Sequence, residues 1–267
     1  MAQTFRDLEV ILIDDNPLES RVAREPHLQR WLKEPRIRLI EHDTPRNAAR
    51  ARNCGLQAAR GDWITYLDDD DAYLPDKIEK QWKRAQVTGL PLGLCGRVYR
   101  MGLRSRISGW DTEEISGDNL LLAYPPTGAI FHRRTAEVHF NETLDAGEDL
   151  YFFLQLVQHL QTNRVFNVRE ALLVMYLQTV HTNLNGEGLW KSAEAVYRDF
   201  ASHYGEAAAK TFLLRARLGY HKLRPGGLGE MFRISFALVR QRGWRELRPA
   251  LNGILFKAPW LRRWLVS

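Results

Sequence analysis

The sequence predicts an α/β fold in which helices flank a mostly parallel sheet. Short apolar runs rich in Val, Ile and Leu alternate with segments of helical character, which is typical of βαβ units. Two of these runs end directly in acidic turns, at Asp14-Asp15 and at Asp68 to Asp71. Because ligands bind beyond the carboxyl ends of strands in such sheets, a binding site is predicted at that edge.

Six strands are predicted from apolar or alternating patterns bounded by turn residues. The first is a β-branched run, the second alternates charged and apolar residues, and the others are short apolar stretches. In chain order they are Leu8 to Ile13, Arg36 to Glu41, Trp63 to Leu67, Leu92 to Arg100, Thr127 to His132 and Ala171 to Leu177.

The predicted helices lie between and after these strands. Leu18 to Lys33 has a helical pattern despite an internal proline, and Asn47 to Ala59 is rich in alanine. Pro75 to Ala85 opens with a proline, which suits the first turn of a helix. Gly147 to Leu160 is amphipathic, and the chain from about Leu189 onward is predicted to be helical.

The composition is that of an ordinary soluble protein able to bury a sizeable core. Of 267 residues, 45% are hydrophobic and 26% are charged, which suits one large domain or one domain with an appendage. Cys54 and Cys95 are too few for a disulfide framework or a zinc site and fit a reducing compartment. We see no signal peptide and no apolar run of about 18 residues, so a cytoplasmic location is predicted.

The positive charge is concentrated near the end of the chain. Of the net +6, residues 222–267 carry +8 from ten Lys/Arg and two Glu, which leaves −2 for the rest. The main body is therefore not predicted to bind nucleic acid. The tail also contains Trp244, Trp260 and Trp264, a pattern that predicts peripheral contact with the inner face of the cell membrane. The alternative is a helical appendage whose arginines are simply solvated.

The run Asp68 to Asp71 concentrates negative charge that must be solvated, hydrogen-bonded or neutralised by a cation. Mg²⁺ or Mn²⁺ would suit this run, because both prefer carboxylate oxygens and share them with substrate phosphates. A solvated acidic loop is the alternative. For Asp71, a further alternative is that it caps the helix beginning at Pro75.

Several motifs, in consistent order over about residues 1 to 185, resemble the family 2 glycosyltransferases. They are Gln3-Thr4-Phe5, Val10-Ile11 with Asp14-Asp15, Arg52-Asn53-Cys54-Gly55, Ala59 to Ile64, Leu67 to Asp71, Pro75, Glu79-Lys80-Gln81, Phe140 to Leu144 and Gly147-Glu148-Asp149. The family uses nucleotide sugars and has the GT-A fold. The resemblance implies that fold here, with a shortened N-terminus.

The resemblance assigns roles toward the sugar donor. Asp70 matches the direct metal ligand, and Asp68 or Asp69 would reach the ribose or the water shell of the metal. Asp15 matches the position that binds the nucleotide base, although a turn-forming role is the alternative. Arg52 would meet the nucleotide or phosphate, or would be a surface charge.

The resemblance also assigns roles toward the acceptor. Asp149 matches the catalytic base of an inverting transfer, and Glu148 would hold an acceptor hydroxyl. Two acidic residues in a first helical turn also complement the helix dipole, which is the alternative. His181 follows a strand in a polar loop, where it would contact metal or diphosphate or be an ordinary surface residue.

The predicted function is therefore an inverting, metal-dependent transfer of a sugar from a nucleoside diphosphate, with UDP favoured. The acceptor would be a glycan or a lipid-linked hydroxyl, with residues 1–188 as the catalytic domain and 189–267 as a basic helical region. One alternative is a non-catalytic nucleotide-sugar-binding or membrane-adaptor relative. An aspartate-dependent phosphotransferase is another, although the order of later residues that it needs is not found. A calcium loop is excluded because its glycine and distal glutamate are missing.

Members of the family usually carry an apolar strand ahead of the position that Gln3 matches. Here the chain begins at Met1, two residues before that position. Without that strand, its neighbours would expose unpaired backbone groups. We therefore expect the natural start to lie upstream and the donor pocket to be incomplete in the chain as written.

Overall fold

The computed structural model describes residues 2–26, 28–43, 47–144, 146–176, 186–223 and 227–242. Strands in these ranges are β1 Val10–Asp14, β2 Ile37–Glu41, β3 Trp63–Thr65, β4 Asp71–Tyr73, β5 Leu92–Met101, β6 Arg104–Ser108, β7 Glu114–Ser116, β8 Phe131–Arg133 and β9 Arg164–Tyr176. Helices are α1 Gln29–Leu32, α2 Ala48–Ala58, α3 Lys77–Thr88, α4 Glu148–His159, α5 Gly186–Phe200, α6 Glu206–Leu223 and α7 Leu228–Arg242.

The strands form two sheets. β1 and β2 pair in parallel, from Val10 opposite Ile37 to Asp14 opposite Glu41. The larger sheet has seven strands in the order β3-β8-β5-β9-β4, with β6 added to β5 and β7 added to β9. In the described part of the chain, β1 and β3 each have a single partner strand. The expectation of an upstream first strand stays a prediction.

The α/β class is as predicted, but the strand directions are mixed where we predicted a mostly parallel sheet. Within the larger sheet, β5 and β9 pair in parallel, whereas the other pairings among described residues are antiparallel. For β5 and β6 the reason lies in their connection. Parallel neighbours need a crossover of a dozen or more residues, whereas Gly102 and Leu103 join β5 to β6 as a tight hairpin.

The chain divides into two compact units. The first takes in residues 1–116, 125–143 and 148–179, and the second takes in 117–124, 144–147 and 180–267, each as far as it is described. The first contains all the strands and helices α1 to α4, and its core includes Cys95, Leu172 and Leu173. The second contains α5 to α7, and Met231 and Leu238 are fully buried there. The predicted boundary at residue 188 stays a prediction.

The predicted helix from Leu18 to Lys33 is wrong. Those residues form two 3₁₀ turns and the short α1. Glu25 precedes Pro26 and is extended, because the proline ring disfavours the helical region for the residue before it. The backbone N–H of Val22 also donates to Asp14 Oδ2 over 2.6 Å instead of to a helical carbonyl.

The basic tail lies mostly outside the described residues, and this includes Trp244, Trp260 and Trp264. Its described portion includes α7, where Glu230 forms ion pairs with Arg217 and Arg233. Among the described helices, none is long and apolar enough to cross a membrane.

Candidate active site

Arg52 on α2 joins three of the predicted site carboxylates. Its Nη2 lies 2.7 Å from Asp68 Oδ1, and its Nη1 lies 2.9 Å from Glu148 Oε1 and 3.6 Å from Asp149 Oδ1. Only 13% of the Arg52 side chain is exposed, so the surface-charge alternative for this residue is wrong. Burial lowers the pKa of Arg52, but the three carboxylates outweigh that and raise it above its ordinary value. Arg52 thus joins Asp68, 16 positions further along the chain, to Glu148, 96 positions further along.

Hydrogen bonds of Asn47 and Asn53 fix the position of helix α2, which carries Arg52. Asn47 caps its N-terminus by accepting from the backbone N–H of Arg50. Buried Asn53 exchanges hydrogen bonds with the backbone of Phe140, with Oδ1 accepting over 2.7 Å and Nδ2 donating over 2.9 Å. Asn47 also donates to the carbonyl of Glu142. The segment ahead of α4 is therefore tied to α2, the helix that carries Arg52.

Glu148 and Asp149 occupy the first turn of α4. Gly147 directly before them has φ +76°, a backbone conformation that other residues rarely adopt. Two carboxylates at a helix N-terminus interact favourably with its dipole. The dipole role and a chemical role are compatible, because Asp149 remains 30% exposed and open to a ligand.

Thr127 holds both oxygens of Asp149. Its backbone N–H donates to Oδ2 over 3.2 Å, and its hydroxyl donates to Oδ1. Burial raises the pKa of Asp149 to about 6, Glu148 adds to the rise, and Arg52 and Thr127 oppose it. A carboxylate with this pKa is ionised at neutral pH and accepts protons better than an ordinary aspartate does.

The aspartate run lies in the turn between β3 and β4. Asp68 pairs with Arg52, whereas Asp69 and Asp70 are exposed and make no hydrogen bond or ion pair with the described residues. Asp71 belongs to β4, opposite Met175, and burial together with the neighbouring aspartates raises its pKa to about 6.

The cap alternative for Asp71 is therefore wrong. Helix α3 begins at Lys77, and Asp76 occupies its N-cap position without a side-chain hydrogen bond. The backbone N–H of Ile78 instead donates to Gln3 Oε1 over 3.1 Å.

The acidic turn offers a cation the right kind of ligand but no complete cage. In the described part of the chain, no group of three or more His, Cys, Asp or Glu side chains could hold a metal ion. Exposed Asp70 with half-paired Asp68 nevertheless fits a cation that takes one or two carboxylates and the phosphates of a substrate. His181 lies outside the described residues.

Asp15 contacts His42 and is not among the carboxylates that pair with Arg52. Its Oδ1 lies 2.8 Å from His42 Nδ1, and both side chains are largely buried. The neighbouring Asp14 is 1% exposed, and its Oδ1 accepts from the backbone N–H and side-chain amide of Asn16. Asp14 thus forms the turn, while Asp15 faces His42.

Sequence reasoning missed two contact residues, Thr127 and His42. His42 directly follows β2, which pairs in parallel with β1, so the two strands end side by side and place His42 near Asp15. That signal was available, because the carboxyl ends of parallel neighbours share an edge. Thr127 carried none, since only the tertiary fold brings it to Asp149, 22 residues away.

Comparisons with known proteins agree on one family. Residues 1–139 match Glycosyl transferase family 2. The chain is 31% identical over 167 residues to succinoglycan biosynthesis protein ExoO of Rhizobium meliloti, covering 56% of this chain and 47% of that protein. It is 33% identical over 81 residues to an Escherichia coli protein named UDP-Glc:alpha-D-GlcNAc-diphosphoundecaprenol beta-1,3-glucosyltransferase WfaP, covering 30% and 31%. The chain thus spans about half or less of these relatives.

Solved structures agree on the fold. Staphylococcus aureus TarS 1–349 in complex with UDP superimposes with a TM-score of 0.63 at 14% identity, covering 95% of this chain and 81% of that one. The same protein in complex with UDP-GlcNAc gives the same TM-score. The predicted GT-A architecture is confirmed, and the chain belongs to glycosyl transferase family 2.

Proposed function

We propose that this chain transfers a sugar from a nucleoside-diphosphate sugar, with UDP favoured, to a hydroxyl of a glycan or lipid-linked acceptor. The contact that carries the proposal is Arg52, which binds the donor-side carboxylate Asp68 and the acceptor-side pair Glu148 and Asp149 at once. The relatives support the substrate class, since one is named for transfer from UDP-Glc and a solved structure holds UDP.

On the acceptor side, Asp149 is the proposed general base. It takes the proton of the acceptor hydroxyl while that oxygen attacks the anomeric carbon from the face opposite the leaving diphosphate, which inverts the configuration. Its pKa of about 6 suits this task, and Thr127 fixes the direction of its oxygens. Glu148 is proposed to orient the acceptor hydroxyl through the oxygen that Arg52 leaves unpaired.

On the donor side, Asp15 is proposed to bind the nucleotide base while Asp69 reaches the ribose. Asp70 and Asp68 would hold a Mg²⁺ or Mn²⁺ ion, with His181 as a further contact. Such an ion supplies positive charge for the departing diphosphate. Arg52 supplies a second, permanent positive charge that needs no metal.

The cellular location of the protein and its biosynthetic setting are also proposed. A cytoplasmic protein with peripheral membrane contact through its basic tail would meet a lipid-linked acceptor where such acceptors are made. The name of ExoO points to polysaccharide biosynthesis as the setting. The phosphotransferase alternative has no support in the family match.

The test is release of UDP and formation of product from a panel of UDP-sugars, with the full chain and its Asp149→Asn variant. We expect this variant to lose about 100-fold or more of the transfer rate and to keep its donor affinity, since general bases contribute about that much. Asp70→Ala is expected to weaken donor affinity and its dependence on Mg²⁺.

Asp62→Asn is the matched control, because Asp62 is exposed just before β3 and its side chain forms no hydrogen bond or ion pair with the described site residues. Full transfer activity of Asp149→Asn would exclude this aspartate as the base. If the wild-type chain binds UDP but neither transfers nor hydrolyses any donor, the non-catalytic alternative holds instead.

A further inference from the structure

The β5–β6 hairpin concentrates arginine side chains on one of its faces. Residues opposite each other in an antiparallel pair project to the same side, and so do residues two apart along a strand. The face in question, here named the arginine face, consists of three cross-strand pairs, Arg97 with Ser108, Tyr99 with Arg106, and Met101 with Arg104. The opposite face carries Arg100, which pairs with Ser105.

The arginine face lines an open cavity of about 660 Å³. All six of its residues contribute to the lining, together with Ser105. The lining contains three arginines, two serines and no carboxylate, so every charge that faces the cavity is positive. The cavity shares no residue with the acidic site around Arg52, and its size suits a small ligand.

Arg97 is fixed at the base of this face. Its Nε donates to the hydroxyl of Tyr99 over 2.6 Å, and its guanidinium carbon lies 5.4 Å from the Tyr99 ring centroid and 5.7 Å from that of Trp110. Two aromatic rings thus hold the cation in place. Its Nη1 is buried and has no hydrogen-bond partner, which is an unusual state for a charged donor.

Arg104 and Arg106 are exposed, and neither they nor Arg97 form an ion pair with any described residue. Three cations on adjacent cross-strand pairs repel one another, and no carboxylate of the described residues offsets that repulsion. A multivalent anion would relieve that repulsion. Arginine forks match phosphate oxygens in geometry, and serine hydroxyls donate to them as well.

We propose that the arginine face is a binding site for a ligand that carries phosphate, with a diphosphate as the best match to several arginines. Arginines two residues apart on one strand are separated by about 7 Å, which two linked phosphates can span and a single carboxylate cannot. The site is independent of the acidic site and of the activity proposed for it.

Two kinds of ligand carry a diphosphate group, namely a soluble diphosphate and an amphiphile with a diphosphate head group. The tip of the hairpin favours contact with an apolar chain, since Leu103 is fully exposed and Met101 is 48% exposed. An amphiphile would place its diphosphate against the arginines and its chain along these two side chains.

The experiment is calorimetric titration of the full chain with inorganic pyrophosphate, in EDTA and at fixed ionic strength. The variant Arg104→Ser/Arg106→Ser is compared with Arg100→Ser, a matched control that removes an exposed cation from the opposite face of the same hairpin. We expect affinity to fall at least about tenfold in the double variant and to change less than about twofold in the control.

A second titration uses farnesyl diphosphate and identifies the source. Tighter binding than pyrophosphate, lost in Leu103→Ser, would support the amphiphile, and equal affinity for both probes would support a soluble ligand. Equal losses in Arg100→Ser and the double variant would reveal unspecific attraction and overturn the site. Failure of the wild-type chain to bind either probe would also overturn it. Neither result depends on sugar transfer, so the two proposals can fail separately.

Discussion

Arg52 in the acidic site and the arginines of the arginine face differ in their counter-charges. Arg52 is nearly buried and lies within 3.6 Å of three carboxylates, whereas Arg97, Arg104 and Arg106 have no carboxylate within ion-pair distance among the described residues. A buried cation with carboxylate partners organises the groups around it. An unbalanced cluster at a surface cavity organises nothing inside the protein, so its counter-charge must come from a ligand or from solvent.

Replacing each kind of arginine by a neutral side chain of similar length should separate the two regions most clearly. Arg52→Met leaves Asp68, Glu148 and Asp149 without their shared cation. We expect the free energy of unfolding to fall by about 3 kcal/mol at pH 8, which is the usual result of removing one partner of a buried ion pair. The fall should be smaller at pH 5, because the abandoned carboxyls can then bind protons. Urea unfolding at both pH values measures it.

Arg106→Met is the control for that experiment. Its side chain is exposed and unpaired, so the free energy of unfolding should change by less than about 0.5 kcal/mol. A comparable loss in both variants would mean that the two regions do not differ in the way described. A pH-independent loss in Arg52→Met would mean that the carboxylates are not the groups left behind.

Lys77 is a third kind of cation, fully buried and without a carboxylate partner among the residues that the structure describes. Its Nζ donates to Thr65 Oγ1 and Gln81 Oε1 and lies 3.9 Å from the Tyr73 ring centroid. Burial lowers its pKa to about 8. A lysine can release its proton when its counter-charge is missing, whereas an arginine cannot and therefore keeps its need for an anion.

Lys77 should make stability depend on pH above neutrality. Between a folded pKa of about 8 and the ordinary 10.5, the unfolded chain binds a proton that the folded chain does not, so stability rises with pH in that window. From pH 8 to pH 10 the wild type should gain about 2 kcal/mol relative to Lys77→Met. Urea midpoints at the two pH values test this. Parallel pH curves for the two proteins would contradict it.

The sequence predicts a helix or strand well where its local pattern agrees with the structure that the tertiary fold imposes. The strand at β2 and helix α2 lie within one or two residues of their predicted limits, because alternation and alanine content are local properties. Sheet direction and the failed helix after Asp14 depend on which groups meet in space. Asp14 captures the backbone N–H of Val22, a contact that no periodicity of side chains encodes.

The order of the motifs predicted Arg52, Asp68 and Asp149 as site residues, but only the fold shows that they contact one another. The arginine face shows the same limit. Arginines at 97, 104 and 106 look like scattered surface charges until the register of β5 against β6 places them on one side. A cluster of charges across a hairpin depends on the register of its two strands, and the sequence alone does not determine that register.

The smallest expected effect concerns Thr127, which assists Arg52 in holding Asp149. Thr127→Val removes a hydroxyl donor that lowers the pKa of Asp149, so that pKa should rise further above the ordinary aspartate value. Because Asp149 is proposed to act in its ionised form, the acidic limb of the transfer rate should move to higher pH. Thr127→Ser keeps the hydroxyl and should restore the wild-type profile, whereas a purely structural role would change the rate at all pH values alike. A limb that moves to lower pH, or an equal shift in the serine variant, would show that the hydroxyl does not set the protonation of Asp149.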